Sequence, residues 1–527
     1  MTLIRAASLI GGLTLVSRIL GFAREMIMAR VLGAGLAADA FNLAFKLPNV
    51  FRRLFAEGAF ASAFVPLFSR EKAESGLEAA RRFAEDVLAV LLPALLLLTA
   101  LAEMFMPAAV WLLNGGGGFA DVPGKLETAV SLSRVTFPYL LFISLAALLG
   151  GILNSLSRFA ASASAPVLLN IVLIAALLLA SGDEAAGEVM TARWLAWGVA
   201  AAGLLQFLWL LWACRRAGVR LTLRRPRLSP RVKRFFAMVG PAALGAGVYQ
   251  ISQLIDLFFA SRLPQGSLSY LNYADRLNQL PLGVVGIALG TALLPALAAH
   301  IAKGEQAQAI HIQNRAAEMA LFLSLPAAAA LMVLSHPLVT ALYMGGRFSA
   351  ADAAATAAVL TGLAAGLPAY VLVKVLTPAF FARGDTATPV KTALAALGLN
   401  VALILLLIGP YGVAGLAWAT AASAWANCAL LYWMLHRAGS FRFDAVFRRR
   451  MLGTAAASGL MAASLAALLA SSPQDFAPLS FDGGTLERVG AVLMVVFVGA
   501  LVYFTAAALL GVMPLRELKA RLRRGGN

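Results

Sequence analysis

Charged residues are scarce in this chain of 527 residues, at 13% of the sequence, whereas hydrophobic residues make up 61%. Soluble domains usually carry about 25% charged residues, so the composition excludes an ordinary soluble protein. Successive runs of about 20 apolar residues instead indicate helices that span a membrane. The alternation of apolar and polar residues that builds a transmembrane β-barrel, in segments of about 10 residues, is absent from the sequence.

Cysteine and histidine are also rare, with 2 and 4 copies. Cys214 and Cys428 lie in apolar segments, where we expect buried free thiols. The histidines lack the spacing of a metal site. No nucleophile–base arrangement indicates an enzyme. The glycine run at 114–118 lacks the Gly-Lys-Ser/Thr of a phosphate-binding loop, so we interpret it as a flexible external loop.

The apolar spans predict an all-α integral membrane protein with fourteen transmembrane helices. They lie near 8–34, 38–68, 85–110, 130–153, 163–181, 193–214, 236–262, 268–299, 316–335, 353–377, 388–408, 412–435, 451–470 and 487–511. The net charge of +18 does not indicate nucleic-acid binding, because the basic residues fall in loops of one side. This positive-inside pattern places both termini in the cytoplasm. The first span lacks a small-residue cleavage site, so we expect it to be retained.

An internal repeat relates the two halves of the chain at an offset of about 230 residues. Pro138 matches Pro368, and Asn170 matches Asn400. Six spans per repeat predict two six-helix lobes related by a pseudo-two-fold axis, followed by two additional helices. The predicted divisions are an N-lobe at 1–214, a basic cytoplasmic linker at 215–235, a C-lobe at 236–436, helices 13 and 14 at 437–511, and a basic tail at 512–527.

Charged residues nevertheless occur inside the apolar spans, above all between residues 17 and 66. A charge at membrane depth costs about 3 kcal/mol or more, so these side chains must face water or protein rather than lipid. Asp39, Lys46 and Arg53 are spaced by seven and share a helical face, with Glu57 one turn beyond. We predict that this face lines a polar, cationic cavity.

The intramembrane arginines exceed the acids near them, which indicates an anionic substrate because guanidinium groups match phosphate oxygens bidentately. These arginines are Arg18, Arg24, Arg52 and Arg276. Two interpretations stay open for Lys46 and Lys374, which either bind substrate or support the lobes. A purely structural role is an alternative for Arg53, paired with Glu57 one turn away, and for Asp275, satisfied by a neighbouring helix.

A cation site is a further hypothesis. Asp256 lies in span 7 with no basic residue within one helical turn, and Asp385 and Thr386 lie near the start of span 11. Their oxygens are the ligands that hard cations prefer, so these three residues form a candidate sodium site. The alternative is an Asp256 that is hydrogen-bonded or protonated within its lobe.

Four segments carry a family resemblance. They are SRILGFAREMIMARVLGAG from Ser17, DAFNLAFKLPNVFRRLFAEGAFASAFVP from Asp39, NYADRLNQLPLGVVGIALGTALLP from Asn272 and VLVKVLTPAFFARGDTATPVK from Val371. They closely resemble the MurJ (MviN) family of bacterial lipid II flippases, which belongs with the multidrug/oligosaccharidyl-lipid/polysaccharide transporters. The resemblance runs over nearly the whole chain.

The resemblance implies a V-shaped cavity between the lobes and a lipid-tail groove formed by the last two helices. It implies translocation of an undecaprenyl-diphosphate-linked peptidoglycan precursor from the inner to the outer leaflet of the bacterial cytoplasmic membrane by alternating access. The expected partners are that precursor, membrane lipids and the cell-wall synthesis machinery, without nucleic acid. The family's functional residues match Arg18, Arg24, Arg52, Arg276, Asp39, Glu57 and Lys374.

Two points of the resemblance bear on energy coupling. Gln279 stands where some family members have an acid. Asp256 resembles an acid that some members use for a sodium ion, while others have a neutral residue there, so sodium coupling and coupling to the membrane potential alone stay open as alternatives.

Two other functions compete with this interpretation. A flippase for another lipid-linked oligosaccharide would share the anionic anchor. A cation-coupled drug antiporter of the same architecture predicts a cavity rich in acids and aromatic residues, whereas arginine and lysine dominate the intramembrane charges here.

Overall fold

The computed structural model describes residues 3–53, 58–181, 187–471 and 484–512. Over these residues the chain forms fifteen α-helices and no β-strand, which confirms the all-α fold class. The helices are α1 Leu3–Leu32, α2 Leu36–Arg52, α3 Gly58–Asn114, α4 Lys125–Thr136, α5 Tyr139–Ser155, α6 Phe159–Ser181, α7 Glu188–Arg216, α8 Pro230–Ala260, α9 Ser267–Ala302, α10 Gln306–Val333, α11 Ser335–Tyr343, α12 Ala350–Phe381, α13 Ala387–Arg437, α14 Ala445–Ser471 and α15 Thr485–Leu509.

Nine helical segments in the described ranges are long and apolar enough to cross a membrane. Helices suit this environment because they satisfy every backbone polar group internally. The chain is therefore a multi-pass membrane protein. The count of fourteen spans remains a prediction.

Two of the long helices contain a break at a glycine with a left-handed backbone. Gly412 has a φ of 53° and divides α13 at the predicted boundary between spans 11 and 12. Gly76 has a φ of 81° and divides α3. The predicted spans end at 68 and resume at 85, which places the basic residues around Gly76 in a loop after span 2, but this segment is helical on both sides of the break. Ion pairs between successive turns, such as Arg70 Nε to Glu74 Oε1 at 2.7 Å, favour the helix there.

The first of two compact units comprises Met1–Ser269 and Gly345–Phe348. Within it, α3 packs against α5 and α8, and α6 packs against α1 and α7. Its core contains a phenylalanine cluster in which Phe64 stacks on Phe60 and Phe83 and meets the edge of Phe235. Phe235 belongs to α8, so this helix contributes to the core of the first unit. The lobe boundary at 215–235 remains a prediction.

The second unit comprises Tyr270–Met344 and Ser349–Asn527. Within it, the largely buried α12 packs against α10, α11 and α13, and α14 packs against α10 and α15. Phe443 stacks between Tyr432 and Phe447, with ring centres 4.4 Å and 4.0 Å away. These rings hold the short connection between α13 and α14 against the core of this unit.

The glycine run at 114–118, which we expected to be a flexible external loop, packs closely against its neighbours. It lies in the first unit against the turn that follows α8, where the backbone N–H of Phe119 donates to the carbonyl of Ser261 at 2.8 Å. A Cβ on Gly118 would lie 2.0 Å from the carbonyl oxygen of Leu263. Cys214 and Cys428 are both buried and free, as predicted.

Candidate functional site

Arg24 forms a buried ion pair inside the first unit. Its Nη1 donates to Oδ1 of Asn170 on α6 at 3.1 Å, and its Nη2 lies 2.5 Å from Oε1 of Glu25. Its guanidinium carbon lies 5.9 Å from the ring centre of Phe45 on α2. Arg24 is 6% exposed and Glu25 is 2% exposed. The arginine therefore joins α1, α2 and α6, and its charge already has a carboxylate partner.

Asn170 fixes the face of α1 that carries Arg24. Its Nδ2 donates to the carbonyl of Ser17 at 2.9 Å and to that of Pro166 at 3.2 Å. Ser17 and Arg24 are seven residues apart and so share one face of the helix. Sequence reasoning singled out Asn170 only as a match within the repeat, and it gave Glu25 no partner.

Arg18 lies on the same helix, but its surroundings differ from those of Arg24. Its side chain is exposed, and it has no hydrogen-bond or ion-pair partner in the part of the chain that the structure describes. The two predicted arginines of α1 therefore divide into one that is anchored and one that is available to a ligand.

The carboxylate of Asp39, at the start of α2, accepts four hydrogen bonds. Its Oδ2 accepts from Lys125 Nζ and from the backbone N–H of Gly266, both at 2.8 Å. Its Oδ1 accepts from the backbone N–H of Ser269 at 3.0 Å and from the Ser269 hydroxyl at 2.7 Å. Lys125 Nζ also lies 4.5 Å from the ring centre of Phe119. Asp39 and Lys125 are each 1% exposed, so they form a buried ion pair at the first turn of α9.

Lys125 was missed by sequence reasoning. It precedes the predicted fourth span, in a loop that is predicted to face outward and is otherwise poor in basic residues. A single lysine in such a loop is the signal that could have identified it.

The remaining predicted residues of α2 follow along the helix. Lys46 lies two turns after Asp39 and is half-buried, and Arg52 Nε donates to Asn49 Oδ1 at 3.0 Å. Arg53 occupies the C-cap position. Glu57 lies outside the described residues, so its pairing with Arg53 stays a prediction.

The second unit carries two further predicted binding residues. Arg276 is half-buried on α9, and Lys374 is exposed on α12. Asp275 accepts a hydrogen bond from Gln279, one turn along α9. This partner lies on the same helix and not on a neighbouring one, so the structural alternative for Asp275 stays a prediction, and Gln279 has a role as a hydrogen-bond donor.

The residues of the candidate sodium site belong to different units. Asp256 is half-buried on α8 in the first unit, and Asp385 and Thr386 lie in the turn before α13 in the second. Asp385 Oδ1 accepts from the backbone N–H of Thr388 at 2.9 Å. Hydrogen bonding from Thr388 holds the pKa of Asp385 below its ordinary value. The structure thus gives Asp385 the role of a helix cap, and the sodium site remains a prediction.

A bundle of apolar helices that keeps arginines and ion pairs in its interior defines a class of protein, the helical membrane transporters. The fold is similar to the solved structure of the lipid II flippase MurJ in an inward closed conformation, with a TM-score of 0.77 and 24% identity over 95% of this chain and 98% of that chain. It is also similar to an inward-facing multidrug resistance MATE family transporter of the MOP superfamily, with a TM-score of 0.65 and 17% identity over 80% of this chain and 94% of that chain.

Comparison with protein families and with related proteins identifies the family to which the chain belongs. The family model for lipid II flippase MurJ matches residues 28–482. The probable lipid II flippase MurJ of Rhizobium meliloti is 44% identical over 100% of this chain and 97% of that protein. The lipid II flippase MurJ of Burkholderia cenocepacia is 35% identical over 84% and 85%. The chain belongs to the lipid II flippase MurJ family.

Proposed function

We propose that this chain translocates lipid II, the undecaprenyl-diphosphate-linked peptidoglycan precursor, from the inner to the outer leaflet of the bacterial cytoplasmic membrane by alternating access. Membership of the family over residues 28–482 carries the proposal. The intramembrane arginines support it, because they offer bidentate donors to a diphosphate.

The chemistry of the substrate explains why such a site is needed. A diphosphate carries about two negative charges and cannot cross hydrocarbon unaided, since each charge at the bilayer centre costs several kcal/mol. Arg18 is exposed and available to bind phosphate oxygens, and Arg24, six residues further along α1, is held in place by Glu25 and Asn170. An inside-negative potential would favour outward movement of the anion by about 2.3 kcal/mol per charge per 100 mV.

Depletion of the protein in its own host tests the function. We expect lipid II to accumulate, inaccessible from outside the cell, and to be exported again when the wild-type chain is restored. Accumulation of a different lipid-linked saccharide would favour the flippase for another oligosaccharide. Normal precursor export combined with sensitivity to cationic drugs would favour the antiporter that the likeness to the MATE fold suggests.

We further propose sodium coupling through Asp256, Asp385 and Thr386. Hard cations prefer oxygen ligands, which supports this set. A bound ion stabilises the state that binds it, so the unfolding temperature of the purified protein should rise with sodium chloride but not with choline chloride. Asp256→Asn should abolish this difference, and a sodium response that persists in the variant would exclude Asp256 as a ligand.

A further inference from the structure

One buried carboxylate holds the segment that joins α7 to α8, residues 217–229. Glu85 on α3 is 0% exposed. Its Oε1 accepts from the backbone N–H of Thr222 at 2.9 Å and from the Thr222 hydroxyl at 2.8 Å. Arg81 donates to the same oxygen, and Arg224 Nε lies 2.7 Å from Oε2. Because a buried charge must be paired, these contacts fix the segment at one position on α3.

Apolar contacts reinforce this position. Val219 is 1% exposed and belongs to the hydrophobic core of the first unit, and Leu221 packs against the same core. At the other end of the segment, the Ser229 hydroxyl accepts from the backbone N–H of Val232 at 3.3 Å and caps α8. The segment therefore has a defined conformation, although its sequence contains many basic residues.

The same segment and the first turn of α8 carry basic side chains that are exposed. Across the described ranges, five of them have no ion-pair partner, because the nearby acids are engaged elsewhere: Glu85 as above, and Glu71 with Arg231 at 3.0 Å. The five are Arg220, Arg225, Arg227, Lys233 and Arg234.

Aromatic residues indicate the membrane depth at which the segment begins. Trp209 and Trp212 stack near the end of α7, with ring centres 5.2 Å apart. Trp212 is 49% exposed, and the guanidinium of Arg216, the last residue of α7, lies 5.2 Å from its ring centre. Exposed tryptophans at the ends of membrane helices mark the level of the lipid headgroups. The basic segment starts at that level.

Two exposed leucines interrupt the basic residues. Leu223 is 67% exposed and Leu228 is 61% exposed. Basic and apolar residues that alternate at headgroup depth are typical of segments that bind an anionic membrane surface, because the charges meet phosphate groups while the apolar side chains enter the interface. An acidic soluble protein would satisfy the charges but would leave the leucines without a role at this depth.

We propose that residues 217–234 form a binding surface for anionic phospholipid headgroups in the leaflet that the segment faces, with Glu85 as its positioning residue. Arginine and lysine donors bind the phosphate oxygens, and Leu223 and Leu228 enter the acyl region. This surface is separate from the transport site on α1 and does not depend on the transported substrate. Basic loops that only direct topology need charge alone. The lipid surface needs its charges at fixed positions.

Lipid retention by the purified full-length protein tests the proposal. The protein in neutral detergent is titrated with phosphatidylglycerol or phosphatidylcholine, and bound lipid is counted by native mass spectrometry. We expect preferential retention of phosphatidylglycerol. Arg225→Gln/Arg227→Gln should weaken that retention by at least about tenfold, given the contribution of each basic residue near an anionic surface. The matched control is Lys303→Gln/Arg448→Gln, which removes the same charge from exposed positions in the second unit and should leave retention unchanged.

The Glu85→Gln variant distinguishes the effect of holding the segment in position from the effect of its positive charge. This variant keeps every arginine and makes the protein more positive, so a surface that depends on charge alone would bind phosphatidylglycerol as well as before or better. We expect weaker retention, because the segment loses its anchor. If the variant does not fold, the two double variants decide the question. Equal losses in both double variants, equal retention of the two lipids by the wild type, or capture of an acidic protein without lipid preference would overturn the proposal.

Discussion

Glu85 and Arg315 occupy matching positions in the two halves of the repeat, and each binds the chain segment that leaves the last helix of its half. Glu85 lies 2.7 Å from Arg224 in the segment after α7. Arg315 Nη2 lies 2.6 Å from Asp444 Oδ2 in the segment after α13. In the first half the acid lies on the helix and the arginine in the segment, whereas in the second half the arginine lies on the helix and the acid in the segment. The two halves therefore repeat the position of the contact but not its charges.

The two arginines of α1 should differ when they are replaced. Arg18→Ala should abolish precursor export with little change in thermal stability, because Arg18 is exposed and has no partner in the described chain. Arg24→Ala should abolish export and also destabilise the protein by about 3 kcal/mol, because it removes the buried arginine that pairs with Glu25.

Complementation of a depleted strain and the unfolding temperature of each purified variant measure these two effects. Lys303→Ala, at an exposed position, serves as the control and should be silent in both assays. Equal stability of the two arginine variants would contradict the distinction between an anchored and an available side chain.

The ion pair of Asp39 and Lys125 should respond unequally to its two single substitutions. Asp39→Ala leaves Lys125 and two backbone N–H groups of the α9 turn buried without an acceptor. Lys125→Met leaves Asp39 with its other donors, so it should cost less. The double variant should be more stable than Asp39→Ala alone, with a coupling of about 1 kcal/mol or more.

Thermal unfolding of the four proteins completes this double-mutant cycle. Lys303→Met replaces an exposed lysine and should leave the unfolding temperature unchanged. Additive effects of the two substitutions would show that the pair does not act as a unit.

Asp385 should stabilise α13 in a pH-dependent manner. Hydrogen bonding from Thr388 lowers the pKa of Asp385, so the ionised carboxylate favours the folded state. Its contribution is present above the pKa of an unfolded aspartate, about 3.9, and is lost as the pH falls through the lower pKa of the folded state. Asp385→Ala should cost about 1 kcal/mol at pH 7, the usual value of a helix cap, and the cost should shrink in acid.

Unfolding scans in sodium-free buffer at neutral and acid pH measure the difference and keep it apart from any ion binding. Asp121→Ala provides the control, since Asp121 is exposed and its side chain has no hydrogen bond in the described chain. A difference between wild type and Asp385→Ala that does not change with pH would rule out the carboxylate cap.

The orientation of the chain can be tested by cysteine labelling, because both native thiols are buried and should give little background. A cysteine at Asp121 should react with an impermeant maleimide on intact cells. A cysteine at Arg220, which is exposed, should react only after permeabilisation. The expectation rests on the clustering of basic residues on one side. Labelling at position 220 of intact cells would contradict this orientation.

The sequence was sufficient for the helical fold and for many local features. The apolar runs predicted the all-α class, and the predicted boundary between spans 11 and 12 falls at the helix break of Gly412. The apolar surroundings of the two cysteines predicted that their thiols are buried. The charged segment around Gly76 was misjudged as a loop, because low hydropathy shows that a segment leaves the membrane and does not show that its helix ends. The matching prolines also differ, since Pro138 precedes α5 whereas Pro368 lies inside the continuous α12.

The partners of the charged residues were harder to predict. Lys125 lies 86 residues from Asp39, and Asn170 lies 146 residues from Arg24, so helix periodicity carries no information on either contact. Glu25 is adjacent to Arg24 in sequence, yet successive residues on a helix do not face each other, and the spacing rules gave no reason to pair them. Tertiary packing brings these groups together.

The glycine run offers an engineering rule for this protein. Its members tolerate substitution poorly for different reasons: a Cβ on Gly118 would meet the Leu263 carbonyl at 2.0 Å, and Gly117 has a φ of +74° although its surroundings are more open. A Gly-rich stretch that is predicted to face outward would usually be chosen for inserting an epitope tag or a fluorescent reporter. In this chain the insertion belongs a few residues later, at Asp121, which is exposed.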